Sequence, residues 1–170
     1  SGLDHLLFVF ALMLVVRSTR QLVLAVTAFT LAHSITLALA TLDIIHVPGP
    51  PVEAIIALSI VFVAQEVIQR QQGHAGLASR KPWLVAFAFG LLHGLGFAGA
   101  LAEVGLPHNA IPLALLFFNI GVELGQLAFI AAVLGVTALL RRLWRGAATP
   151  RWAIPLQAYL IGGVASFWLI

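Results

Sequence analysis

An all-α bundle of about six membrane-crossing helices is the fold this sequence predicts, and three observations predict it. Of 170 residues, 61% are apolar and 9% charged, against about 45–50% and about 25% in an ordinary soluble domain. The apolar residues fall in runs of roughly 18 or more, the length that crosses about 30 Å of hydrocarbon. All nine Lys and Arg residues fall between or beside these runs, in alternate connections. Six spans of about 20 residues leave roughly 50 positions for connections, so the chain reads as a single transmembrane domain over residues 1–170. There is no cysteine, which excludes disulfides, thiolate metal sites and thiol catalysis. The net charge of +3 forms no stripe that could bind nucleic acid.

The first run, Leu3 to Val16, is short for a span and lacks a basic n-region, so the N-terminus reads as truncated or processed rather than as a signal peptide. The second is Gln21 to Leu42. The third, Val52 to Ile68, follows Pro50 and Pro51, which suit a first helical turn. The fourth, Trp83 to Val104, starts after Pro82. The fifth, Ile111 to Leu140, would be ~45 Å long at 1.5 Å per residue and must tilt, kink or project from the bilayer. The sixth is Ala153 to Ile170.

Orientation follows from charge. Arg17 and Arg20 lie in the first connection, Arg70, Arg80 and Lys81 in the third, and Arg141, Arg142, Arg145 and Arg151 in the fifth. By the positive-inside rule these loops are cytoplasmic and both termini are extracytoplasmic. Trp83, Trp144 and Trp152 flank the basic loops as interface anchors. Asp43, His46, His74, Glu103 and His108 read as solvated loop or loop-edge residues.

Ionisable groups inside spans cost at least about 2.5–3.5 kcal/mol each and so need a partner, a wet cavity or an ion. The second run places Thr30, His33 and Thr36 on one helical face. The fourth places His93 among Gly90, Gly94, Gly96 and Gly99. On the fifth, Asn119, Glu123 and Gln126 share a stripe. Counted inward at 1.5 Å per residue, His33, His93 and Glu123 lie ~14, ~16 and ~18 Å from the outer helix ends, one common level. Asp4, His5 and Glu53 lie above it, and Gln65 and Glu66 near the cytoplasmic end. This arrangement suggests an outward-opening polar cavity. Two imidazoles and a carboxylate are suitable ligands for a divalent transition metal. The bland alternative is interhelical hydrogen bonding, and the pairs Gly90-xxx-Gly94 and Gly121-xxx-Gly125 read mainly as helix packing.

The segments Gly2-Leu3-Asp4-His5-Leu6-Leu7-Phe8, Phe29-Thr30-Leu31-Ala32-His33-Ser34-Ile35-Thr36, Phe89-Gly90-Leu91-Leu92-His93-Gly94-Leu95-Gly96-Phe97-Ala98 and Phe118-Asn119-Ile120-Gly121-Val122-Glu123-Leu124-Gly125-Gln126 together resemble the HupE/UreJ family of bacterial membrane proteins, nearest its second branch. The resemblance implies a multi-pass inner-membrane protein that takes up or handles a divalent metal, chiefly nickel, with Asp4-His5 and His93-Gly94 serving metal passage.

The leading expectation is therefore an inner-membrane permease or metal-handling protein. The ion (nickel, zinc or similar) would pass Asp4, His5 and Glu53 and be held by His33, His93 and Glu123, with Asn119 or Gln126 completing the site and Glu66 serving exit or proton coupling. No nucleotide-binding motif is present, so movement of the ion would be passive, coupled to a gradient, or driven by a partner subunit, with oligomerisation open. An intramembrane zinc hydrolase is the alternative, although no His-Glu-x-x-His spacing occurs. A structural membrane subunit is the third reading.

Overall fold

A computed structural model describes residues 2–103, 110–143 and 153–168, with side chains from Leu3 onward except those of 98–103. Its helices are α1 (Gly2–Val15), α2 (Thr19–Thr41), α3 (Gly49–Gln71), α4 (Leu77–Arg80), α5 (Pro82–Glu103), α6 (Ile111–Leu143) and α7 (Ala153–Trp168). The protein is an all-α bundle, and every long apolar run forms a helix. The short α4 has no counterpart among those runs. Three helices, α2, α3 and α6, are long and apolar enough to cross a membrane, while α1, α5 and α7 contain shorter apolar stretches. The expected end of the fourth run at Val104, the final residues of the sixth, and His108, Trp144, Arg145, Arg151 and Trp152 lie outside the described residues, as does the Glu103 side chain.

Local chemistry sets the helix ends. Asp4 in the first turn of α1 complements the positive helix terminus. Pro50 and Pro51 stand in the first turn of α3, where a missing N–H leaves no intrahelical bond unmade. Two helices close with the same device. Beyond α2, Asp43 adopts a left-handed conformation (φ 64°), its N–H reaching the Ala40 carbonyl while Ile44 N–H reaches that of Leu39. Beyond α3, Gly73 (φ 90°) does the same, with Gly73 N–H to Arg70 and His74 N–H to Gln69. Both are the paired 6→1 and 5→2 bonds of a Schellman ending. These turns carry α3 about one turn beyond the apolar run that announces it.

Packing register gives each helix a direction. Gly90 of α5 meets Phe29 and Ala32 of α2, and Gly94 meets His33, Thr36 and Leu37, so α2 and α5 run parallel. Gly96 meets Ile56 and Val52 of α3 while His93 pairs with Ser59, which makes α3 antiparallel to both. His33 with Asn119, and Thr30 with Gln126, make α6 antiparallel to α2. Phe8 of α1 packs on Phe29 and Phe89, while His5 lies beside His33 and His93, so α1 is also antiparallel to α2. Asp4, Glu53 and Trp168 line one cavity, which puts the start of α1, the start of α3 and the end of α7 together. The first and third connections, with Arg17, Arg70, Arg80 and Lys81, are at the opposite end.

The core follows from this register. Phe8, Leu12, Val15, Leu22, Val26, Phe29, Ile60 and Val63 of α1, α2 and α3 are buried in one cluster, which Val85 of α5, Ile130 of α6 and Ile161 of α7 complete. The two glycine pairs behave differently. A Cβ at Gly90 or Gly94 would run into the Phe29 or His33 carbonyl oxygen, so α5 needs hydrogen at both positions to seat against α2. Gly121 and Gly125 have nothing within 4 Å of a Cβ position and face away from the bundle. The packing role expected of that pair is therefore not exercised among the described residues, because α6 turns its other face, Leu115, Asn119, Gln126 and Ile130, inward.

Candidate functional site

Four helices bring polar side chains to the middle of the bundle. α1 supplies His5, α2 His33, α5 His93 and α6 Asn119, all buried. The His5 ring is the hub, its centroid 5.2 Å from that of His33 and 5.2 Å from that of His93, edge-on to both. Phe29, Phe97 and Phe118 close the surroundings with rings 4.8–6.3 Å from their neighbours. The close approach of α5 to α2 at Gly94 is what lets His93 enter this cluster.

Each of two histidines spends one nitrogen on the protein and keeps the other. His33 Nδ1 lies 3.1 Å from Asn119 Oδ1, and His93 Nε2 lies 3.3 Å from Ser59 Oγ. Among the described residues, nothing hydrogen-bonds the buried His33 Nε2 or His93 Nδ1. Such atoms are uncommon in a well-packed interior, because an unsatisfied buried polar group costs about 1–3 kcal/mol. The chemistry of an imidazole lone pair fits a borderline-soft divalent cation. Among the described residues, no three His, Asp or Glu side chains stand ready to hold a metal ion, so ligation by more than two of them requires side chains to turn.

Above the cluster lies a partly open cavity of about 300 Å³ lined by Asp4, His5, Glu53, His93, Phe97 and Trp168, with Ile56, Ala57 and Gly96 as its apolar wall. Asp4, His5, Glu53 and His93 thus share one space although three different helices carry them. The residue beyond sequence reasoning here is Ser59, which touches His93. It is a lone hydroxyl in an otherwise apolar stretch of α3, and that isolation is the only signal the sequence gives.

The other candidates are placed elsewhere. Glu123 is half-buried and accepts a hydrogen bond from Thr27 Oγ1 at 2.7 Å, so α6 offers His33 the amide of Asn119 and directs the carboxylate further along α2. A single helical turn separates Asn119 from Glu123, and depth counting does not resolve which of the two meets a given neighbour. Gln126 is buried, its Oε1 3.5 Å from Thr30 Oγ1 and its Nε2 unpartnered. Glu66 is 4% exposed at the far end of α3. Its carboxylate accepts backbone N–H bonds from Ala78 at 2.9 and 3.0 Å and from Ser79 at 3.3 Å. It therefore caps the start of α4, and Gly76 gives it room, since a Cβ there would strike the carboxylate. Asp43 and His46 pair with each other on the surface.

An all-α bundle with three helices long and apolar enough to cross a membrane is the architecture of a helical membrane protein, and here α1, α3, α5 and α7 line a cavity that holds carboxylate and imidazole side chains. The chain belongs to the HupE / UreJ protein family, whose model matches residues 1–170. That family is associated with nickel and cobalt uptake or handling at membranes. Nothing among curated proteins or solved structures matches the chain.

Proposed function

We propose that this protein is a multi-pass permease or handling protein for a divalent transition metal of the nickel type in the bacterial inner membrane, with the cavity facing outward. The observation that carries the reading is the cavity itself. It gathers two carboxylates and two imidazoles, Asp4, Glu53, His5 and His93, at the end of the bundle away from the basic loops, and beneath it sit the unpartnered nitrogens of His33 and His93. A cation is drawn in by the carboxylates, exchanges part of its water shell for imidazole nitrogen, and is held by two or three of His5, His33 and His93 with water completing its coordination. Asn119, Glu123 and Gln126, hydrogen-bonded in turn to His33, Thr27 and Thr30, form the polar seam between α2 and α6 through which the ion leaves toward the basic side. The basic connections are cytoplasmic by the positive-inside rule.

Nickel flux into proteoliposomes, with calorimetric nickel binding to the full chain, tests this. His93→Ala and the double variant Asp4→Asn, Glu53→Gln are expected to lose at least tenfold in flux while remaining monodisperse, and His93→Ala to lose measurable binding. Only neutral imidazole binds metal, so protons compete. Nickel affinity should therefore fall as pH is lowered. Unaltered binding and flux in both variants would sink the proposal.

A further inference from the structure

The geometry points to Ser59 and Asn119 as positioning residues that lock His93 and His33 in opposite tautomers, so that one offers Nδ1 and the other Nε2 to a cation. The locking follows from the hydrogen bonds alone. Its consequence for metal rests on the function proposed above.

Ser59 Oγ lies 2.6 Å from the Ile56 carbonyl oxygen and 3.3 Å from His93 Nε2. A hydroxyl has one proton, and the much shorter contact with an oxygen that can only accept takes it. What Ser59 shows to His93 is therefore a lone pair, and His93 must carry its proton on Nε2. Nδ1, buried and with no hydrogen-bond partner among the described residues, is left as the basic nitrogen.

On the other side of the cluster, Asn119 Nδ2 donates to the Leu115 carbonyl at 2.8 Å. Turning the amide over would set two acceptor oxygens against each other, so Oδ1 is the atom that faces His33 Nδ1 at 3.1 Å. His33 donates from Nδ1 and keeps its lone pair on Nε2, the second unpartnered nitrogen. Both serine and asparagine are anchored to the backbone of their own helix by an i−3 or i−4 bond. Neither can reorient without giving up that bond, so each tautomer is imposed rather than chosen by the ring.

Opposite tautomers present the two lone pairs at different distances from their helices. Nδ1 sits next to the ring carbon that bears Cβ, while Nε2 is at the far edge of the ring. A cation on His93 Nδ1 would therefore lie nearer the backbone of its own helix than a cation on His33 Nε2 would lie to that of α2. Partners of this kind fix ring orientation and raise ligand basicity, and losing one costs about 10–100-fold in metal affinity.

The test uses the full chain in lipid nanodiscs, labelled with ¹⁵N-histidine and free of metal at about pH 8, above the imidazole range. Long-range ¹H–¹⁵N correlation spectra report which nitrogen carries the proton, and His33→Gln and His93→Gln assign the two rings. Wild type should show His93 protonated on Nε2 and His33 on Nδ1. Ser59→Ala should move His93 to mixed or Nδ1 protonation and leave the His33 pattern intact, which also shows that the bundle is folded. Asn119→Leu should do the converse, and Ser59→Thr, which keeps the hydroxyl, should restore the wild-type His93 pattern. Calorimetry with Ni²⁺ alone should then give about a tenfold or greater loss for Ser59→Ala. Identical tautomers in wild type, or an unchanged His93 pattern in Ser59→Ala, overturns the lock. A changed pattern with unchanged Ni²⁺ affinity overturns the positioning role. A wild type that shows the lock but binds no Ni²⁺ defeats the functional reading and leaves the lock standing.

Discussion

Helices α5 and α6 carry the same small-residue spacing and each holds a costly side chain in mid-helix, yet they serve the bundle differently. In α5, Gly90 and Gly94 press against carbonyl oxygens of α2, and His93 beside them is 2% exposed. In α6, Gly121 and Gly125 look out on open space, and only 11% of its most apolar window is buried, against 50% in α2 and in α3. A glycine pair lets a helix approach another closely but does not say whether a partner is there. Which face turns inward is decided by the polar groups that must find partners, and in α6 those are Asn119 and Gln126 on the side opposite Gly121.

The largest effect expected from this contrast is at the glycines. Gly94→Leu forces a side chain into the α2 backbone, which cannot yield as a rotamer can, and should destabilise the protein by about 3 kcal/mol or prevent folding. Gly125→Leu has free space and relieves the roughly 1 kcal/mol penalty of glycine within a helix, so its thermal midpoint in micelles should be unchanged or higher. Equal destabilisation by both would break the comparison and mean that the outer face of α6 is packed in the membrane.

A second contrast is between two carboxylates. Glu66 receives backbone N–H bonds from Ala78 and Ser79 in a buried site, whereas half-buried Glu123 receives one hydroxyl from Thr27. Bonds to a charged acceptor contribute about 1.5–3 kcal/mol, so Glu66→Gln should cost on the order of 2 kcal/mol. Amide hydrogen exchange at Ala78 and Ser79 should quicken by at least tenfold, and an unchanged rate would deny the capping role. The smallest effect is expected for Thr27→Val, about 0.6 kcal/mol, typical of a hydrogen bond between membrane helices. A loss several times larger would place Glu123 in a far less solvated setting than its exposure indicates.

Much of this was legible beforehand because the bilayer imposes one-dimensional rules. A run of apolar residues has to be a helix, since lipid offers the backbone no partners. Proline fixes a first turn, and a costly ionisable group in mid-span marks a place where something must compensate it. These rules singled out His33, His93, Asp4, His5 and Glu53 as candidates, and counting depth put His33, His93 and Glu123 on one level, although Glu123 pairs with Thr27.

Local chemistry along the chain therefore fixes which segments are helical, how their basic ends alternate, and which side chains have to be satisfied. Only the tertiary structure decided by what they are satisfied. Helical periodicity puts Asn119 and Glu123 on nearly the same face, so the rotation of α6 against α2 selects Asn119 for His33 and leaves Glu123 to Thr27. Nor does any periodicity mark Ser59, whose hydroxyl matters only because α3 runs antiparallel to α5 at a register that sets it against His93. The physical reason is one of range. Helix formation and span length are local properties of the chain, whereas a hydrogen bond forms within about 3 Å and so depends on how distant helices are turned toward each other.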